Sequence, residues 1–538
     1  HCGQKVSSYR FPVVAYQTSS CNRKRRPVTV LSFIIRRLGA SILVLLVASF
    51  LIYNLASLAG DPLGDLRGST APNKAALIAA RIDQLQLNVP TPLRFFIWLS
   101  GLLKVFIGQF TLGDSVNGQS VLSLLGSSAA NTLQLVTAAT LLAVIFGVAI
   151  GMSTAIRQYS GYDYSVTFLS FLFFSLPAFW VAVLLKLYVA IGFNDFLGSP
   201  VISPLSITVI SLVSGFIWMS IIGGEGKPRL IVFGSATVIS AATLGFLVVT
   251  NWFQAPQLGP VLIAVLGALT ALMVTSLTTG LSNRRALYAA LITVAIGVAL
   301  WYPLQFLFAA LPAFWLLGLL GVLSIALGLA VGYFVGKDDR WPAARTAAIT
   351  SFLVGLLVLA DRLMRSWPDY LSAVGGRPIA TVGANTPDLQ GSIWLHVIDS
   401  YTHLLLPTMS LILISLAGYT RYARASLLEV MNQDYVRTAR AKGLTERTVV
   451  MRHAFRNAMI PIITVVAFDV GGLIGGAVIT ETIFAWRGMG SLFISALRDP
   501  LDLNVLMAVF LVVGSFAIVF NILADLAYTA LDPRIRVS

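Results

Sequence analysis

Glu429-Val430-Met431-Asn432-Gln433-Asp434-Tyr435-Val436-Arg437-Thr438-Ala439-Arg440-Ala441-Lys442-Gly443-Leu444-Thr445-Glu446-Arg447 is the stretch from which the rest of the chain can be read. It continues through Arg452-His453-Ala454-Phe455-Arg456-Asn457-Ala458-Met459-Ile460-Pro461. Its local chemistry reads as helix, turn, helix. Ala439 and Ala441 favour helix. Gly443 suits the left-handed position that ends one, with Leu444 able to fold back onto it. Thr445 can cap the next helix, and Glu446 sits well in its electropositive first turn. Pro461 opens a long apolar run, where its missing N–H costs nothing. Residues 421–456 hold eight Lys or Arg against three acids. Such a basic segment between two apolar runs lies on the cytoplasmic side of a membrane. Two readings remain open on chemistry alone: a rigid handle for a soluble partner, or a basic amphipathic loop lying on anionic lipid.

The composition around this segment supports the membrane. Of 538 residues, 57% are hydrophobic and only 11% charged, whereas a soluble domain carries about 25% charged residues. So few charges cannot cover a water-facing surface. A transmembrane barrel is excluded by the long unbroken apolar runs, which alternating strands never give. The net charge of +15 does not indicate nucleic acid, because the basic residues sit mainly in short segments between apolar runs. Both cysteines, Cys2 and Cys21, precede residue 28, and the four histidines form no ligand cluster. The chain therefore shows no Cys-based metal site or disulfide framework in its membrane body.

Twelve apolar runs are long enough to be spanning helices, which need about 18 or more residues: 38–58, 132–156, 165–191, 205–222, 230–250, 258–280, 287–306, 311–335, 346–364, 403–420, 461–484 and 503–530. With the N-terminus inside, the loops after the second, fourth, sixth and eighth runs are cytoplasmic. They carry Arg157, then Lys227 and Arg229, then Arg284 and Arg285, then Lys337, Arg340 and Arg345, whereas 251–257 and 307–310 carry no Lys or Arg. That alternation puts both termini inside. Of the two long outside segments, 59–131 contains an interrupted apolar stretch from Thr91 to Ile107, expected as an amphipathic helix at the interface. The other, 365–402, is rich in Gly and Pro and reads as a loop. Residues 1–27 hold six Lys or Arg and no acid. They read as a leader foreign to the membrane body, with a natural start near Val28 or Val30, or as a disordered cytoplasmic tail.

The segment around Gly443 resembles the coupling loop of ABC-importer permeases of the dipeptide/oligopeptide (binding-protein-dependent) family. Tyr435 to Leu444 carries the likeness almost residue for residue, joined by Arg452-His453-Ala454, Arg456-Asn457-Ala458 and Ile460-Pro461. Gly471-Gly472-Leu473-Ile474-Gly475-Gly476-Ala477-Val478, Glu481-Thr482-Ile483-Phe484-Ala485-Trp486 and Leu531-Asp532-Pro533-Arg534 extend it downstream. Upstream it includes Arg36-Arg37-Leu38, Gly60-Asp61-Pro62 and Ser175-Leu176-Pro177-Ala178-Phe179-Trp180. The likeness covers roughly 31–195 and 396–536. Two departures, Arg437-Thr438-Ala439 in place of Glu-Ala-Ala and the long spacing from Gly443 to Pro461, are similar to the peptide branch.

The resemblance implies an all-α polytopic fold: a six-helix type I importer core, its first half at 28–199 and its second at 396–538, with the coupling loop at 429–459. The family usually has a short link between its third and fourth spans. Here 200–395 would be an insert of about six extra spans, whose even number preserves the topology of the core. The bland reading of the insert is lipid-facing scaffold. The resemblance further implies a permease subunit in a prokaryotic plasma (inner) membrane. Its partners would be a second related permease, two ATPase subunits and an extracellular substrate-binding lipoprotein, with peptides as substrate and nickel complexes, glutathione or sugars as alternatives. No phosphate-binding G-x-x-x-x-G-K-[ST] loop is present, so no cofactor is expected in this chain, and ATP and Mg are expected on the ATPases. The residues expected to dock the ATPase are Tyr435, Arg437, Ala439, Lys442, Gly443 and Leu444, with Ala439 and Gly443 permitting close approach.

Ionisable groups inside spans are expensive and often functional. Asp469, among the glycines of the eleventh run, is a candidate for facing the pore and attracting a peptide's amino group; a helix–helix hydrogen bond is the alternative. Lys186 is expected to snorkel, and Asp525 to be structural. Two other function classes have their own sequence requirements. A gradient-driven secondary transporter would need paired intramembrane charges and an internal repeat, neither of which is evident. A membrane enzyme would need a polar catalytic cluster, for which His396 and His403 near Asp399 are the only hint.

Overall fold

The computed structural model describes residues 30–104, 110–222, 226–310, 313–498 and 500–531. The 1–27 leader with both cysteines, the end of the amphipathic stretch beyond Lys104, and the closing Asp532-Pro533-Arg534 lie outside the described residues. Runs of Leu, Ile, Val, Ala and Phe with no water to satisfy their backbone have one solution, the helix, which closes its own hydrogen bonds. The apolar runs are accordingly helical. Among the described residues, ten helical segments are long and apolar enough to cross a membrane, or eleven if Arg284–Ala299 and Trp301–Ala310, bent by 49°, form one span. One of the ten, Phe314–Ala373, contains two long helices, Phe314–Gly336 and Arg340–Arg365, separated by a turn at Lys337–Asp339. They fold back on each other so closely that Gly328 meets Ala347 and Ala348, and Gly332 meets Ala343 and Ala344. This hairpin and the bent pair account for the difference from the twelve apolar runs.

Several boundaries differ from the sequence reading, each for a local reason. The run 165–191 is not one helix. Gly161–Ser175 stops at Leu176, whose backbone is extended before Pro177, and the helix restarts at Ala178, as the residue before proline is steered away from α. Leu185–Ile191 then forms a wider π-helical turn. The run 461–484 ends earlier than expected: Phe455–Gly476 is followed by a separate short helix, Val478–Ile483. Ile393–Met431 is much longer than its apolar centre and tolerates Pro407 inside it. The stretch 365–402 is part helix, at Trp367–Ala373 and from Ile393 onward. The outer amphipathic segment forms Thr91–Leu103, whose Phe95 and Trp98 are buried against Tyr53.

The centre of the molecule is the pairing of Val121–Ile156 with Ile393–Met431. Small residues allow it: a Cβ on Gly147 would strike Tyr419, and one on Gly151 would strike Thr420 and Ala423. Close backbone approach at small residues is the usual way spanning helices gain dispersion contact in lipid. Leu427, Ala454, Ala458 and Ile462 extend that contact to the Phe455–Gly476 helix. The helices between Gly259 and Arg365 form a separate bundle around Ile263, Ala271, Ala290, Val294 and Val354, while Pro204–Ile222 and Lys227–Val249 pair with each other, Gly215 against Phe233 and Thr237. The bundle joins the centre where Trp394, at the start of the Ile393–Met431 helix, packs on Phe308.

Candidate functional site

The decisive segment projects from the end of the central helix pair. Asp434–Ala441 is a short helix. Gly443 follows with φ +75°, a left-handed backbone that only glycine adopts freely. A Cβ there would meet nothing within 4 Å, so its glycine is set by backbone conformation and not by crowding within this chain. Thr445 then caps the next turn, its hydroxyl accepting from the Thr448 amide. Arg440 spans the turn and donates from Nε and Nη2 to the two carboxylate oxygens of Glu446, at 3.1 and 2.7 Å. That forked contact holds the Glu446 carboxyl below its ordinary range.

Inside the turn, Val436, Ala439 and Val449 form a small buried core with Val430 and Met431 against it. The six expected docking residues therefore divide. Tyr435, Arg437, Lys442, Gly443 and Leu444 are exposed, and Ala439 is only 5% exposed. The small side chain of Ala439 permits close approach within the projection itself, not at its outer surface. Tyr435 keeps an exposed ring while its hydroxyl accepts from Asn457 Nδ2 at 2.7 Å. The projection returns to the membrane body through a π-helical turn, Val449–Ala454, with Val449, Val450 and Ala454 buried.

The base of the projection is pinned. Arg424 donates from Nε and Nη2 to the Asp163 carboxylate at 2.9 and 2.8 Å, and the Tyr159 amide donates to the same carboxylate at 3.0 Å. Burial alone would raise Asp163, but these donors together hold it below the usual carboxylate range. Ser426 donates to the Ala458 carbonyl at 2.8 Å, joining the helices on either side of the projection. The base of the projection is thus packed against both the Ile393–Met431 and Phe455–Gly476 helices.

Asp469 lies half-buried on the Phe455–Gly476 helix and interacts with Tyr419 of the facing helix. A second acid lies in the same apolar run. Glu481 is fully buried, accepting from Thr132 Oγ1 at 2.7 Å and the Ser491 amide at 2.8 Å. Thr132 in turn accepts from the Met489 amide at 2.7 Å. With Trp486 donating to the Asn131 carbonyl at 3.1 Å, this network ties the 477–491 segment to the Val121–Ile156 helix. The signal that picks out Asp469, an acid in an apolar run, applies equally to Glu481.

The remaining charged residues have structural placements. Lys186 does not snorkel outward; its Nζ donates to the Ile483 carbonyl at 3.4 Å. Asp525 pairs with Arg37. Asp399 accepts from the Thr386 amide and hydroxyl, at 2.8 and 2.6 Å, and from the Tyr370 hydroxyl at 3.1 Å. It straps the 374–392 loop to the central helix. His403 Nε2 is 3.9 Å from it, while His396 is exposed and bonded to Ser392. Among the described residues, no group of three or more His, Cys, Asp or Glu could hold a metal.

The sequence also matches known proteins. Residues 282–537 match the family model described as "Binding-protein-dependent transport system inner membrane component". That match begins inside the stretch read as an insert. The chain is 39% identical over 188 residues to an oligopeptide transport system permease protein of Mycobacterium tuberculosis, covering 35% of this chain and 56% of that protein. It is 39% identical over 226 residues to a putative peptide permease protein of Brucella suis, covering 40% and 68%. To the dipeptide transport system permease protein of Escherichia coli K12 it is 48% identical over 139 residues, covering 26% and 41%. The chain thus spans little more than half the length of the mycobacterial relative. With two thirds of the Brucella permease matched at 39% identity and the family model spanning the projecting segment, the chain belongs to the family of binding-protein-dependent transport system inner membrane components.

Proposed function

We propose that this chain is a transmembrane permease subunit of an ATP-driven ABC importer, taking up di- or oligopeptides delivered by an extracellular substrate-binding protein. The observation that carries the reading is the projecting helix: rigid, pinned at its base, and presenting Tyr435, Arg437, Lys442 and Leu444 to solvent. An exposed, braced projection fits a groove on a partner better than it fits a lipid surface. The permease names of the relatives supply the substrate class.

In this account the projection docks into an ATPase subunit, and ATP with Mg reacts on that partner. Closure of paired ATPases pulls on the Asp434–Ala441 helix. Arg440–Glu446 and the Val436–Ala439–Val449 core keep the projection from deforming, so the pull tilts the two flanking helices. The chain pairs with a second related permease around the pore, lies in a prokaryotic plasma membrane, and keeps both ends and the projection on the cytoplasmic side, as the loop charges favour. Residues 28–199 and 396–538 form the importer core, and 200–395 the added spans. In this account Asp469, half-buried on the Phe455–Gly476 helix, attracts the amino group of a passing peptide.

The test is affinity purification of the full chain in mild detergent, then reconstitution of the recovered assembly in vesicles. Recovery of ATPases, a second permease and a binding protein, with ATP-dependent uptake of labelled peptide, is the expected outcome. A chain that purifies alone and supports uptake driven by an ion gradient would overturn the reading.

A further inference from the structure

The bundle formed by residues 259–365 leaves a cavity of about 290 Å³ between Arg284–Ala299, Trp301–Ala310, Phe314–Gly336 and Arg340–Arg365. That is at the lower edge of the ~300–1,000 Å³ used by ligand sites. Phe308, Leu320, Phe352 and Leu356 are among its walls. Glycines keep it open: a Cβ on Gly321 would meet only Phe352, at 3.7 Å, and one on Gly355 only Ser324, at 3.8 Å. The cavity opens sideways, since lining residues Leu323 and Leu356 are exposed on the outside of the bundle. In a membrane, that outside is lipid.

A cation with no acid at ion-pair distance among the described residues lies one turn beyond the lining at one end. Val358 and Leu359 line the cavity, so Arg362 lies on the same face of its helix one turn further on. Its guanidinium is 5.6 Å from the ring centre of Trp394, which packs edge-on against the cavity residue Phe308. Arg362 Nε is buried without a hydrogen-bond partner, and the side chain forms no ion pair among the described residues. The adjacent Asp361 cannot serve it. Its carboxylate is already taken by Arg365 Nε at 3.0 Å, Trp301 Nε1 at 2.8 Å, and the amides of Leu258 and Gly259 at 2.7 and 3.0 Å.

We propose that this bundle holds one phospholipid, with an acyl chain in the cavity and the phosphate on Arg362. An apolar slot open to the bilayer suits the chain. A guanidinium at the end of a spanning helix, with no acid at ion-pair distance among the described residues and only the longer-range attraction of Asp369, suits the phosphate, to which arginine donates as a fork. The inference rests on the membrane reading of the chain and not on its transport role. It gives the added spans a ligand of their own.

The test uses the full chain with any associated subunits, purified in mild detergent and examined by native mass spectrometry. Retained lipid is identified by extraction, and a photoactivatable phosphatidylglycerol in nanodiscs serves as the probe. Wild type is expected to retain about one phospholipid and to crosslink at the cavity. Arg362→Gln and Gly355→Leu are each expected to lower retention and crosslinking roughly tenfold, and Arg362→Lys to keep most of both. Arg345→Gln, at the other end of the same helix, should change nothing. A size-exclusion profile and melting temperature matching wild type establish that the variants fold. Retention unchanged in Arg362→Gln, a retained acyl compound without phosphate, or crosslinks scattered over the outer surface would each overturn the proposal.

Discussion

Arg424 grips Asp163 through two parallel hydrogen bonds of 2.9 and 2.8 Å, joining residues 261 positions apart at the base of the projecting helix. Asp163 is buried and Arg424 only partly exposed. Removing one partner leaves the other charge in a poorly solvated place, at a cost of about 3 kcal/mol. Asp163→Asn should therefore lower the melting temperature of the detergent-solubilised protein and weaken ATPase coupling together.

The pH dependence of that pair has a fixed sign. Because the folded carboxyl is held below its unfolded value of about 3.9, its contribution is fully present above that value. It is lost as pH falls through the folded value. The stability gap between wild type and Asp163→Asn should be full at pH 7 and narrow only below about pH 4. A gap that closes between pH 8 and 6 would point to a different titrating group.

Gly443, at φ +75° with empty space where its Cβ would be, makes a clean test of backbone geometry. Gly443→Asn, which tolerates the left-handed region, should couple nearly normally. Gly443→Val should cost ~1–2 kcal/mol locally and uncouple ATP hydrolysis from uptake while the protein still inserts. Normal coupled uptake by Gly443→Val in reconstituted vesicles would sink the docking reading.

The inward and outward faces of the projection should behave differently. Ala439→Leu overfills the pocket shared with Val436 and Val449, at about 1–3 kcal/mol, and should show as increased proteolysis of the 429–459 segment. Arg437→Glu with Lys442→Glu alters only exposed charge. It should leave folding intact and weaken ATPase binding, and the wild-type binding should itself weaken with salt. Equal ATPase affinity for wild type and the double variant would remove these two residues from the contact.

Gly488 is extended, with φ −105°, so its glycine is required by space alone: a Cβ would strike Glu481 Oε1 and Thr132 Oγ1. Gly488→Ala should destabilise by about 1–3 kcal/mol, read as a lowered melting temperature. The exposed Gly161, with nothing near its Cβ, should accept alanine without loss.

What the sequence reveals of this molecule depends on the range of the interaction. The turn at Gly443 and the cap at Thr445 are legible because their signals lie within a few residues of each other. The inward turn of Ala439 is not, since it depends on Val449 returning across the turn to cover it. The Asp163–Arg424 grip has no sequence signature, because nothing local to either residue names the other. The breaks at Leu176-Pro177 and after Gly476 interrupt runs whose hydrophobicity continues unbroken, so a count of apolar residues passes over them. Lys186 reads as a residue that reaches for water, but the Ile483 carbonyl offers it a partner inside the protein.

The central claim is that the projecting helix sits in an ATPase groove and moves with it. The most direct measurement is disulfide crosslinking from Leu444→Cys, in full chain with Cys2 and Cys21 replaced by Ser, to cysteines around the groove of the co-purified ATPase. The account predicts a specific crosslink that blocks ATP-driven uptake and releases it on reduction. It also predicts that Gly355→Cys, deep in the added bundle, gives no such crosslink. Failure of Leu444→Cys to reach the ATPase, with full ATP-driven uptake retained under oxidising conditions, would contradict it.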